Sequence, residues 1–283
     1  MAVTGKRPHF VTTVPMTRLL AEVVDMRRFL VLGLICLLGV GALAADVTVT
    51  YLGHSCFTVQ EEGGPTVMMD PYSSFVAYPA LPKPADIVLI SHDHVDHDPA
   101  SFGEFDRVTG DPVYVRRLGT NGRCREAISP NDLSVTDGFQ IQVIEGDHVN
   151  VRGGGAGYVC MYTFDVGGIR FAHLGDLGRT LNDRQIAALS GVDVLFAPVG
   201  GAFTLNAQEA MTAIGQIPSL KIAIPMHYRV TGITPWLDIA PLSTFTQYAG
   251  SRATVVDKNA SSIVISADTL PTSTEIWLMD YER

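Results

Sequence analysis

Ser91-His92-Asp93-His94-Val95-Asp96-His97, directly after the apolar run Ile87-Val88-Leu89-Ile90, is the stretch that decides how this chain is read. Three imidazoles and two carboxylates fall within seven residues. Such side chains gain nothing by packing on one another. The apolar run before them predicts a short strand buried on both faces, with the cluster on the turn at its end. Neutral imidazole and carboxylate are the ligands of zinc, manganese or iron, so the cluster predicts a metal centre rather than a solvated polar loop. A short segment cannot surround a metal, and the remaining ligands must come from elsewhere. The candidates are His148 in Gly146-Asp147-His148, Asp176 in His173-Leu174-Gly175-Asp176, and His227 in Pro225-Met226-His227-Tyr228. Five of the chain's eight histidines then fall into one pattern.

Strands are predicted over 47–52, 56–59, 66–69 and 87–90. Tyr158 to Val166 and Ile169 to Leu174 flank Gly167-Gly168 as a hairpin, and 192–196 and 221–225 are further apolar strands. Helices are predicted between them. One runs from Leu181 to Leu189 with Thr180 as N-cap, one is opened by the capping box of Asn206 and Glu209 and runs towards Gly215, and one covers 243–249. Polar clusters follow strands (His92 after Ile90, Asp176 after Leu174, His227 after Pro225), the layout of a layered α/β protein with its function on loops at strand ends.

The chain has 283 residues, a formal charge of −9 and 47% hydrophobic residues, ample for a core. That acidity argues against a nucleic-acid partner, which needs a basic footprint. Met26-Arg27-Arg28, an uncharged run from Phe29 to Ala45 and the small-x-small end Ala42-Leu43-Ala44 predict a secretory signal peptide over 26–45. The alternative is an uncleaved anchor, the one membrane contact expected, although the run is short for a bilayer span. Residues 1–25 are an extension of the basic region or follow from a start assigned upstream of Met26. Residues 46–283 are expected to form one domain, exported to a periplasmic or extracellular space. They keep Cys56, Cys124 and Cys160, which allow at most one intramolecular disulfide and favour buried free thiols.

The order His-x-His-x-Asp-His, a distant His, Gly-Asp and a late His resembles the ligand order of the metallo-β-lactamase superfamily. The chain is most similar to the branch of ascorbate-6-phosphate-lactonase-like enzymes and other metal-dependent hydrolases. Gly53-His54-Ser55, Asp70-Pro71, Gly175-Asp176, Pro198-Val199-Gly200-Gly201-Ala202-Phe203-Thr204, Gln208-Glu209-Ala210 and Ile224-Pro225-Met226-His227-Tyr228 carry that likeness, which runs from about Val47 to Val230. The resemblance implies a four-layer αββα sandwich of class α/β. It implies two divalent ions, zinc first, with His92, His94 and His148 on one, Asp96, His97 and His227 on the second, and Asp176 bridging. A hydroxide held between the ions would attack an ester, lactone, amide or phosphodiester bond of a small-molecule substrate, with Asp96 orienting it.

His54 is read either as a group beside the metals or as a brace for the corner before Cys56. His173 is expected behind the site rather than on a metal, and Asp70 to brace the metal loop. Gly153-Gly154-Gly155 is read as a mobile loop near the pocket, since no Lys-Ser/Thr follows to make a phosphate loop. Two other functions are weighed: a mononuclear iron oxidoreductase on the same fold, and a non-catalytic envelope metal-binding protein. Imidazole at position 94, where diiron oxygen reductases of this fold place a carboxylate, favours hydrolysis over the first. The complete ligand set argues against the second. Specificity is assigned to the loops 72–84, 103–130 and 150–157, which carry no diagnostic motif, and the sequence does not set the oligomeric state.

Overall fold

The computed structural model describes residues 44–119, 121–125, 139–149, 156–234 and 238–283. The expected signal segment before residue 44 and Gly153-Gly154-Gly155 lie outside the described residues.

The described residues open with three antiparallel strands, β1 (Val47–Gly53), β2 (Cys56–Glu61) and β3 (Val67–Met69). A two-residue β4 (Lys83–Pro84) leads to β5 (Ile87–Ile90), buried along its whole length. β6 (Val108–Thr109) pairs with β4, and β7 (Val113–Arg116) lies parallel to β5. The next strands are β8 (Ile141–Val149), β9 (Ala156–Val166) and β10 (Ile169–His173). Then come α1 (Asp183–Ala188), β11 (Val194–Pro198), α2 (Ala207–Gly215), β12 (Ile222–Met226) and α3 (Leu242–Ala249). β13 (Thr254–Asp257), β14 (Ser262–Ile265) and β15 (Glu275–Leu278) complete the chain.

Two mixed sheets result, ordered β14-β1-β2-β3-β5-β7 and β13-β15-β12-β11-β10-β9-β8. Their facing sides form one core in which Phe57 of the first sheet meets Phe196 of the second at 4.3 Å between ring centroids. Tyr162 ties the sheets together by donating its hydroxyl proton to the Ile90 carbonyl at 2.6 Å. The three helices pack against the second sheet, α1 by β8, α2 by β11 and α3 by β13. This is the α/β sandwich expected from the sequence. Over the outer face of the first sheet, the layer among the described residues is made by Tyr72, Val76, Tyr78 and Leu81 of a long loop, seated on Leu52, Met68, Val88 and Ile90. No helix among the described residues is long and apolar enough to cross a membrane.

Local differences from the sequence reading have physical causes. The first helix is capped by Asn182, not Thr180, because Asn182 and Gln185 satisfy each other's backbone N–H groups in a capping box. The strands β4, β6, β7 and β8 and the three C-terminal strands were not predicted. β8 alternates buried and half-buried residues around Glu145, Gly146 and Asp147, which dilute its apolar signal. β14 returns to the start of the chain and pairs antiparallel with β1, a contact between segments about two hundred residues apart.

The expectation of free thiols is corrected: Cys124 and Cys160 form a disulfide, and only Cys56 remains free among the described cysteines, buried. The bridge closes a sequence separation of 36 residues and joins the segment after β7 to β9. Closing a loop of that size stabilises chiefly by restricting the unfolded chain. Cys124→Ser is expected to lower the unfolding free energy by about 2–4 kcal/mol. Urea unfolding of oxidised wild type, reduced wild type and variant checks this; equal midpoints for all three would contradict it.

Candidate metal centre

The parallel strands β3 and β5 end side by side, and each hands its next residues to the site. Asp70 follows β3 in a left-handed conformation (φ 43°), and its backbone N–H donates to the Leu89 carbonyl. Its carboxylate accepts from the Ser91 backbone N–H at 2.7 Å and from the Ser91 hydroxyl at 2.6 Å. The same carboxylate lies 2.8 Å from Nδ1 of His97. Because the single Ser91 proton goes to Asp70, Ser91 Oγ can only accept from Nδ1 of His92, 3.0 Å away. Nδ1 thus carries a proton in both His92 and His97, and each Nε2 is turned to the interior, that of His92 3.0 Å from His94 Nδ1 and that of His97 3.2 Å from Asp176. Below the turn, Arg116 grips the buried Asp98 through two hydrogen bonds of 2.8 and 2.7 Å.

Three distant segments close on this turn. His148 stands near the end of β8, paired opposite Gly157. Asp176 follows β10 through Gly175, whose φ is 51° and whose absent Cβ would lie 2.6 Å from the Ser91 Cβ. His227 follows β12 in a left-handed conformation (φ 52°), and its carbonyl would lie 2.2 Å from a Cβ at Gly200. Those close approaches require glycine at both positions. Asp176 sits at the point of convergence. Its Oδ1 is 3.2 Å from His97 Nε2, and its Oδ2 is 3.4, 3.7 and 3.9 Å from Nε2 of His227, His92 and His148.

The ligand atoms fall into three groups close enough to share an ion: His92 with His94 and His148; His92 with His97 and Asp176; and His54 with Asp96, His97 and His227. His94 is the exposed member and marks the open side, whereas His92, His97, His148, Asp176 and His227 are buried. His54 is fully buried and donates from Nε2 to Asp96 Oδ2 at 3.1 Å. Its carbonyl accepts from the His227 backbone N–H, so the two are fixed together.

The electrostatics match a cation site. Burial favours the neutral acid for Asp176 and Asp96, but neighbouring imidazoles outweigh it and hold both carboxyls below their usual range. Burial pushes His227 down to about 3 and lowers His92 and His148 as well, so these rings stay neutral. Burial also opposes charge on His97, yet Asp176 and Asp96 outweigh it and raise its pKa well above the ordinary histidine value. Ionised carboxylates beside neutral imidazoles are the donor set of a divalent cation, and a cation bound there would displace the second proton that the two carboxylates hold on His97. Nε2 of His97, both ring nitrogens of His148, Oδ1 of Asp176 and Nδ1 of His227 are buried without a hydrogen bond. Unpaired buried polar atoms are costly, and a cation would satisfy those whose lone pairs point inward.

The structure therefore brings His92, His94, Asp96, His97, His148, Asp176, His227 and His54 into one cluster. His173 lies behind it, donating from Nε2 to the Ser55 carbonyl and accepting the Gly175 N–H at Nδ1. Ser91 supports the site in a way the sequence reading misses. The signal was a hydroxyl residue directly before the first histidine, which passes the grip of Asp70 on to His92.

Residues 48–227 match the family described as the β-lactamase superfamily domain. The chain belongs to this superfamily. A UPF0173 metal-dependent hydrolase of Thermoplasma volcanium is 30% identical over 192 residues, covering 65% of this chain and 84% of the relative. One from Carboxydothermus hydrogenoformans is 29% identical over 193 residues, covering 64% and 84%. The fold is shared with a crystal structure from Thermotoga maritima, described as a proposed zinc-dependent hydrolase of the metallo-β-lactamase superfamily. Its TM-score is 0.60 at 24% identity, over 83% of this chain and 100% of that one.

Because Asp70 fixes His97 directly and His92 through Ser91, Asp70→Ala is expected to weaken metal binding by about 10–100-fold. The far-UV spectrum should be retained. Competition against a chromophoric chelator measures the affinity, and an unchanged value would remove Asp70 from the site's support.

Proposed function

We propose that this metal-dependent hydrolase works with two divalent ions, zinc first with manganese or iron as alternatives. His92, His94 and His148 would hold one, Asp96, His97 and His227 the other, and Asp176 would stand between them. The observation that carries this reading is the place of the Asp176 carboxylate, within 4 Å of ring nitrogens from both triads. Bound there, such ions supply Lewis acidity and bring the pKa of water to about 7, so that hydroxide is available near neutral pH.

The side chains supply the rest. Asp96, held by His54, would orient the attacking water. His54 acts through Asp96 and is kept rigid by its own backbone contacts to Tyr51 and His227. Burial of Asp176 keeps bulk water from competing for its charge. Ester, lactone, amide and phosphodiester bonds all suit this chemistry, in a small-molecule substrate. The two-triad ligand set supports a dinuclear hydrolase over a mononuclear iron oxidoreductase. Export to the periplasm or exterior is part of the proposal, supported by the uncharged run 29–45 and by the Cys124–Cys160 disulfide, a bond of oxidising compartments.

His94→Ala and Asp176→Ala are each expected to lose at least about 100-fold in turnover together with bound metal, since metal ligation and catalysis are one assembly here. Chelation should abolish turnover of the wild type, and re-addition of the metal should restore it. A panel of ester, lactone, amide and phosphodiester substrates, with metal analysis of each protein, provides the measurement. Full turnover by either variant would refute the role of that residue.

A further inference from the structure

Three of the exposed large apolar side chains gather on two loops beside the metal turn: Phe75, Phe102 and Phe105, with relative exposures of 46%, 51% and 75%. The rings of Phe75 and Phe102 are 5.9 Å apart. The two loops are locked together, since Ser74 bonds the Glu104 carboxylate through both its backbone N–H and its hydroxyl, and Arg107 donates to the Tyr72 carbonyl. Both loops are also bonded to the metal turn itself. The Ser73 N–H donates to the Val95 carbonyl at 2.9 Å, and the Ser101 hydroxyl donates to the Asp93 carbonyl at 2.8 Å. Residues 93–95 form the exposed side of the cluster, where His94 meets solvent. The phenylalanines therefore stand on loops braced against the turn that carries the exposed His94.

Apolar rings left in water at a fixed place next to a reactive centre are a recognition surface. The charges around them set its chemistry. Arg107, the cation within the second loop, is committed to Glu104 and Tyr72, and Arg116 is committed to Asp98. Glu104 and Asp106 flank Phe105 in sequence, and Asp93 is exposed beside His94. Among the described residues of these two loops, that rim repels an anionic group and leaves apolar contact as the attraction.

We propose that Phe75 and Phe102, with Phe105 at the margin, seat a neutral apolar group of the substrate, an alkyl chain or an aryl ring attached to the bond that is cleaved. This rests on the hydrolytic reading of the metal centre and narrows it, from hydrolysable small molecules at large to neutral esters or lactones carrying an apolar group. Each methylene taken out of water strengthens binding by up to about fourfold. A chain of several methylenes lying on the two rings thus becomes the main determinant of specificity.

The test compares the metal-loaded wild type with Phe75→Ser, Phe102→Ser and Phe102→Leu. Paired substrates differ only in apolar length: methyl butyrate with methyl decanoate, and γ-butyrolactone with γ-decalactone. In the wild type, kcat/KM for the longer partner is expected to exceed that of the shorter at least tenfold, mostly through KM. The ratio should fall towards one in the two serine variants and stay high in Phe102→Leu, which keeps the apolar surface. Binding of decan-1-ol against butan-1-ol, followed by saturation-transfer NMR, reads the same surface without turnover. If neither these substrates nor the amide and phosphodiester panel is cleaved but decan-1-ol binding is lost in the serine variants, the apolar seat stands and the hydrolytic reading fails. Equal length dependence in all four proteins, or decan-1-ol binding that ignores the substitutions, overturns the proposal. So does a dimer in sedimentation velocity, or binding to phosphatidylcholine vesicles, that is lost in the serine variants, since the phenylalanines would then serve a second copy or a membrane.

Discussion

A carboxylate cannot be taken out of water without a compensating charge, and Asp176 is held at 4% side-chain exposure among four histidines. Desolvating an ion costs several kcal/mol even after the protein relaxes, so a buried carboxylate needs partners in good geometry. Those partners arrive from three segments, the 91–97 turn, β8 and the end of β12, while Asp176 itself follows β10. Both sheets must come together before Asp176 is satisfied, and the site is thereby coupled to the fold. The phenylalanine core between the sheets fixes the separation, and the parallel run β10–β11–β12 delivers Asp176 and His227 to the same end.

Much of this was legible in the sequence because the ligands stand next to strong signals. His92, Asp176 and His227 each follow a short apolar strand, and strand ends are where an α/β sandwich displays its chemistry. His148 was legible by its order in the chain but not by its element. It sits on a strand whose polar half faces outward, so the local pattern around Glu145-Gly146-Asp147 resembles a loop. The C-terminal strands escaped for a related reason. β13 and β14 are edge strands with exposed residues, and their place follows from pairings that close only in three dimensions. The Cys124–Cys160 pairing likewise depends on β7 and β9 lying close, which spacing alone does not reveal.

The support behind the ligands was less legible than the ligands. Asp70, Ser91 and His97 form a chain of hydrogen bonds that assigns the proton of two imidazoles; Asp70 was expected as a brace of this loop, whereas the relay through Ser91 to His92 was not. Left-handed backbone at His54, Asp70 and His227 marks where the chain is bent to aim a side chain. Such conformations cost energy for residues other than glycine and persist where the surroundings over-determine them, as they do around this cluster. The same turn that receives this bracing also carries the two loops with the exposed phenylalanines. The parts that would bind ions and the parts that would touch substrate are therefore joined through backbone hydrogen bonds at Asp93 and Val95.

The most direct test is metal quantification of the purified protein, combined with a crystal structure whose anomalous scattering locates each ion. The account predicts two ions per chain, one beside His92, His94 and His148, one beside Asp96, His97 and His227, with Asp176 touching both. A metal-saturated protein with a single ion, or with Asp176 in contact with none, would contradict it.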